Sequence, residues 1–236
     1  LEGDTAIEFG HRFYAGITIL VVASAAWFAF KARVVDGVLF NILGSALAAI
    51  LIQAVLGGIT VLTELDGKVR LAHLTLAMAT LALLTAGVLR GLGIAGSLAP
   101  GLRIASTLAA WAGLVVLVGG SIVGLNLSGA CPGLPLCDDR SLLDAAWVHG
   151  LHRPAATFLL VALIATGVWL KRQKPTKFAV GLHHSTTLFV ALQIGIGVLA
   201  ISQSLPTALR VLHLGMATLI WWAVVTQWLL AMRPRS

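Results

Sequence analysis

The sequence predicts an all-α polytopic membrane protein, with seven transmembrane helices in two pseudo-symmetric helical bundles. Three observations carry this expectation. First, 58% of the 236 residues are hydrophobic and only 11% are charged, too few polar side chains to coat a water-soluble fold. Second, seven apolar runs approach or exceed the roughly 20 residues that a helix needs to cross hydrocarbon. The run from Ile104 to Leu125 has none of the period-two alternation of a transmembrane strand, which sets a β-barrel aside. Third, the chain repeats itself at a fixed offset, as a duplicated bundle would.

The runs are 11 to 30, 37 to 62, 71 to 89, 104 to 126, 148 to 170, 178 to 202 and 209 to 232. Their connections are short, so successive helices pack antiparallel. Lys31 and Arg33 follow the first run, Arg90 and Arg103 flank the loop after the third, Lys171, Arg172, Lys174 and Lys177 follow the fifth, and Arg233 and Arg235 follow the seventh. All ten bases fall on one side. Glu2, Asp4, Glu8, Glu64, Asp66, Asp138, Asp139 and Asp144 fall on the other. The positive-inside rule then places the N-terminus outside and the C-terminus in the cytoplasm of a multi-pass protein of the cell (plasma) membrane. The formal charge of +7 is therefore topology rather than a nucleic-acid surface, and the lipid membrane is the expected partner.

The two cysteines, Cys131 and Cys137, lie in the long outer loop between the fourth and fifth runs, as Cys131-Pro-Gly-Leu-Pro-Leu-Cys137. An even count in an oxidising compartment favours a disulfide. A staple for the loop and a redox-active pair are both open readings. A zinc site lacks further ligands nearby.

The repeat is read from three matches in one order. Arg70-Leu71-Ala72-His73-Leu74 aligns with Arg210-Val211-Leu212-His213-Leu214 at an offset of 140, as do Gln53 and Gly57 with Gln193 and Gly197. Glu8-Phe9-Gly10-His11-Arg12 aligns with His149-Gly150-Leu151-His152-Arg153 at 141. Residues 1–100 then form a three-helix half and residues 101–236 a four-helix half. On that plan the first helix of an eight-helix chain is expected to precede Leu1.

Each half places two histidines at the same end of two helices that run in the same direction: His11 with His73, and His152 with His213. A lone intramembrane histidine is commonly a packing residue, but matched pairs at one depth suit a shared ligand. Imidazoles from facing helices hold a haem iron from both faces, within an apolar interior that accepts the porphyrin. Arg12, Arg70, Arg153 and Arg210 stand beside these histidines, as donors to haem propionates or as bases snorkelling to the interface. Zinc or copper would need third and fourth ligands. His149 is read chiefly as a loop hydrogen-bonder, His183 and His184 as interfacial, and Gln53 and Gln193 as amides bonding across helices. Gly57, Gly58, Gly195 and Gly197 would permit close approach. Glu8 lies three residues before His11, where the other repeat has His149, so the two sites are chemically unequal. A carboxylate there is placed to accept a proton or to stabilise a cation, or simply to sit at a helix N-terminus.

Together, the Glu8-x-x-His11-Arg12 motif, the four histidines in two repeats and the Cys131-x5-Cys137 loop resemble the haem A synthase family over essentially the whole chain. That resemblance implies oxidation of the C8 methyl of haem O to the formyl group of haem A, by successive hydroxylations, for the biogenesis of haem-copper oxidases. It implies that His11 and His73 frame the haem O substrate and that His152 and His213 ligate a haem b. Glu8 would assist the oxidation, and Cys131 with Cys137 would form a disulfide. An electron acceptor, haem O synthase and oxidase assembly factors are the implied partners. The rival readings are a bis-histidine cytochrome b that carries electrons and a haem-binding transporter or assembly factor.

Overall fold

The computed structural model describes residues 3–64, 66–94, 102–124, 127, 131, 133–134, 146–173 and 176–232. Its helices are α1 (Gly3–Lys31), α2 (Gly37–Leu62), α3 (Gly67–Gly91), α4 (Leu102–Gly124), α5 (Ala146–Leu170), α6 (Lys177–Ser202) and α7 (Thr207–Ala231), with one 3-10 turn, Lys171–Gln173, after α5. Among the described residues there is no strand. All seven helices are long and apolar enough to span a membrane, with spanning stretches of 19 to 26 residues. Their outward faces carry large apolar groups such as Leu20 (69% exposed) and Phe28 (71%). Water would not tolerate so much contiguous apolar surface, whereas lipid does. The protein is a multi-pass membrane protein.

The chain divides into two compact units, Leu1–Leu92 and Gly93–Ser236, a boundary a few residues before the one expected at residue 100. In the first unit α2 packs against both α1 and α3, around Val22, Ala46 and Ile50. In the second, α4, α5, α6 and α7 pack in sequence and α4 closes the ring against α7. Leu108, Ala112, Leu159, Leu163, Val190 and Val224 fill its centre. Pro154 interrupts the α5 ladder, and Trp111 of α4 donates its indole N–H to the nearby Ala155 carbonyl at 2.9 Å.

The duplication is visible in the helix bounds. Adding 140 to the ends of α2 and α3 reproduces the ends of α6 and α7 at every terminus. The turns agree as well: Glu64 and Ser204, 140 residues apart, both take positive φ, 51° and 60°. Helix starts are set by side-chain caps, Asp66 accepting from the Lys68 and Val69 amides and Thr176 from that of Ala179. Asp36 caps α2 through the Leu39 amide and also pairs with Arg90 at the end of α3, tying two helices of the first unit together.

One expectation is corrected here. His183 is not interfacial: it is 1% exposed, inside the second unit. One ring nitrogen, Nε2, meets the Leu163 carbonyl at 2.9 Å, and the other, Nδ1, meets Gln227 Oε1 at 3.0 Å. Gln227 in turn donates to Thr186 Oγ1 at 2.8 Å. The equivalents of His183, Thr186 and Gln227 in the first unit are Leu43, Ala46 and Gly87, and the Leu43 side chain occupies the space a side chain at Gly87 would need. Position 183 falls near a helix start, which makes it read as a membrane-surface residue; two polar partners, on α5 and α7, offset the cost of burying the ring. His184, its neighbour, is exposed.

Candidate functional site

The site is built from glycine-lined grooves. The His73 ring of α3 rests on Gly57 of α2, where an added Cβ would lie 3.4 Å from Cε1. The His213 ring of α7 rests in the same way on Gly197 of α6, at 3.2 Å, and the His152 ring of α5 on Gly119 of α4, at 2.9 Å. Glycine makes this approach feasible because no Cβ stands in the way of the ring. In all three histidines Nδ1 is buried and has no hydrogen-bond partner. His183 lies against Gly167 in a similar groove, but both its ring nitrogens are enclosed against protein oxygens, which closes them to a metal.

Within the first unit the His11 and His73 ring centres are 6.5 Å apart, with planes at 66°. An imidazole nitrogen ligates a metal at about 2.0–2.1 Å. At a ring separation of 6.5 Å, His11 and His73 would be the residues to hold one haem iron between them. In the second unit His152 and His213 are close enough to interact electrostatically. Among the described residues no group of three or more His, Cys, Asp or Glu side chains converges, so a tetrahedral zinc or copper site has no support there.

The flanking groups differ between the units. Glu8 and Arg12 form an ion pair one turn apart on the exposed face of α1. Their counterparts, His149 and Arg153, instead bond main-chain carbonyls that precede α5. His149 Nε2 bonds the Leu127 carbonyl at 2.8 Å, while the Arg153 guanidinium donates to the carbonyls of Cys131 (2.7 Å) and Gly133 (2.6 Å). Arg70 is half-buried one turn before His73, and Arg210 is exposed, donating to Thr207 Oγ1 at 3.1 Å. Cys131 is 1% exposed and no free cysteine occurs among the described residues; its expected partner Cys137 lies outside them.

Sequence reasoning missed Gly119, which has no repeat partner within the chain, and the use of the two glutamines. Gln53 donates to the His73 carbonyl at 2.8 Å and Gln193 to the His213 carbonyl at 3.0 Å. The recurring Gln-x3-Gly spacing on α2 and α6 was the available signal. Of the glycines singled out, Gly57 and Gly197 touch a ring, whereas Gly58 and Gly195 have open space around them.

Spanning helices in two duplicated units, each presenting a pair of histidines near the N-terminal ends of its helices, define a multi-pass membrane protein with a recurring histidine pair. The chain belongs to the COX15-CtaA family of cytochrome oxidase assembly proteins, whose profile matches residues 2–225. No individual curated protein matches it.

Proposed function

We propose that the protein is a haem A synthase, which oxidises the C8 methyl of haem O to the formyl group of haem A by successive hydroxylations. The observation that carries this reading is the pair of histidines in each unit, with Glu8 beside one pair and His149 in its place beside the other. His11 and His73 would frame haem O as substrate. His152 and His213, more enclosed, would hold a haem b, which when bound supplies one-electron transfer. The Glu8 carboxylate, three residues before His11 and paired with Arg12, would take up a proton as the methyl is oxidised. Cys131 and Cys137 would close a disulfide that stabilises the loop held by Arg153. An electron acceptor is required, and haem O synthase and oxidase assembly factors are the natural partners for delivery and hand-over.

The test is haem extraction and chromatography from cells supplied with haem O. Glu8→Ala should leave haem b bound and lower haem A by about 10²-fold or more. His152→Ala or His213→Ala should remove haem b. Undiminished haem A from Glu8→Ala would favour the cytochrome b carrier or the haem transporter, neither of which needs Glu8.

A further inference from the structure

At the basic end of the first unit, α1 and α2 part to leave an open apolar cleft of about 330 Å³. Trp27 and Phe30 of α1 and Phe40 of α2 wall it, with ring centres 5.9 Å apart between the first two and 5.7 Å between the last two. Small residues, among them Ala23 and Gly44, line the remainder, and a Cβ added at Gly44 would meet nothing within 4 Å. From Ala23 to Phe30 the cleft follows α1 for about 10 Å, at 1.5 Å per residue, which is a large part of the roughly 15 Å depth of one leaflet. Its width and lining suit one hydrocarbon chain. His11 stands 16 residues before Trp27, about 24 Å away along the helix, so the cleft is separate from the histidine pair.

Two bases stand at the mouth of the cleft, where the first span ends at Lys31. Lys31 Nζ lies 4.6 Å from the centre of the Trp27 ring, and the Arg33 guanidinium lies 3.9 Å from that of Phe30 while donating to the Phe30 carbonyl at 2.8 Å. These contacts leave further N–H donors on both groups. The neighbouring acid, Asp36, is taken by Arg90 and the Leu39 amide, and among the described residues neither Lys31 nor Arg33 is in an ion pair. The second unit shows what topology alone requires. Lys31 recurs there as Arg172, but Trp27, Phe30, Phe40 and Gly44 are matched by Val168, Lys171, Val180 and His184, so the bases persist without the aromatic walls. We propose that the cleft binds one anionic phospholipid, with an acyl chain between α1 and α2 and the phosphate held by Lys31 and Arg33. Apolar fit and uncompensated positive charge meet at headgroup depth in this one place of the first unit, which is the complement of such a lipid.

The experiment is native mass spectrometry of the full chain, released from detergent after incubation with an equimolar mixture of phosphatidylglycerol and phosphatidylcholine of identical acyl chains. The unsubstituted protein should retain one phosphatidylglycerol in preference to phosphatidylcholine. Lys31→Gln with Arg33→Gln should lower that preference by about tenfold or more, since each base close to an anionic headgroup is worth roughly fivefold. Lys171→Gln with Arg172→Gln removes the same charge from the second unit, where the aromatic cleft is missing, and should change it little. Gly44→Leu fills the cleft with both bases in place and should abolish retention. Should that variant not fold, the two charge pairs, which lie on the surface, still decide the matter. Equal loss in the two charge pairs would mean diffuse surface attraction, and equal retention of both lipids would mean apolar fit without headgroup recognition; either overturns the proposal. So does undiminished retention in a folded Gly44→Leu, or displacement of phosphatidylglycerol by an equal concentration of farnesol, which would make the occupant an isoprenoid. None of these readings depends on bound haem, so the proposal stands or falls apart from the haem A synthase reading.

Discussion

At the scale of single residues, a methyl group is enough to test the grooves. A Cβ at position 119 would stand 2.9 Å from His152 Cε1 and 3.2 Å from Nδ1, closer than carbon and nitrogen tolerate, and the ring is boxed between α4 and α5. Gly119→Ala should therefore displace His152 and weaken haem b binding by roughly 10- to 100-fold, the range for disturbing the surroundings of a metal ligand. Gly215→Ala, two residues after His213 and with nothing within 4 Å, is the matched control and should bind normally. Haem content per protein by pyridine haemochrome absorbance decides it; equal loss in both variants would show that helix propensity, rather than the groove, is being measured.

Packing between elements is where the two units diverge. The His183, Gln227 and Thr186 network joins α5, α6 and α7 in the second unit, and Leu43, Gly87 and Ala46 take its place in the first. His183→Leu strands the Leu163 carbonyl and the Gln227 amide, so it should destabilise by about 1–3 kcal/mol. Haem content should not change, because His183 is no ligand. The double variant His183→Leu with Gln227→Gly recreates the leucine-on-glycine contact of the first unit, and should be less destabilised than the sum of the single changes. Thermal unfolding in detergent measures this, and additivity within about 0.5 kcal/mol would mean that the two positions do not couple. In the first unit the Arg90 guanidinium beside Asp36, with the Leu39 amide, holds the Asp36 carboxyl below its ordinary value of 3.8. A carboxyl depressed in the folded protein stabilises it above that value and ceases to do so as pH falls through the lower folded value. Asp36→Asn should therefore narrow the gap in stability between neutral pH and pH below 3.8, and a melting series across that range reads it.

For the molecule as a whole, the distribution of bases predicts its orientation. Lys68 stands at the start of α3, on the side carrying the acids, whereas Lys31, Lys171 and Lys177 flank helices on the basic side. In right-side-out vesicles a membrane-impermeant amine reagent should modify Lys68 and spare the other three. Peptide mapping by mass spectrometry identifies the modified lysines, and the reverse pattern would invert the topology and place both histidine pairs toward the cytoplasm.

The sequence by itself determined the number, type and approximate limits of the helices, since crossing hydrocarbon demands long uninterrupted apolar runs whatever their neighbours. It also determined the duplication, because Gln53, Gly57 and His73 recur intact as Gln193, Gly197 and His213. Which polar groups find which partners was decided by tertiary structure alone. Position 183 reads as a helix-end histidine until Leu163 and Gln227 arrive from other helices, and no local pattern announces that Arg153 reaches the Cys131 and Gly133 carbonyls. Hydrogen bonds of this kind link residues 20 to 44 positions apart, and their geometry depends on how two helices cross rather than on any local pattern in the chain.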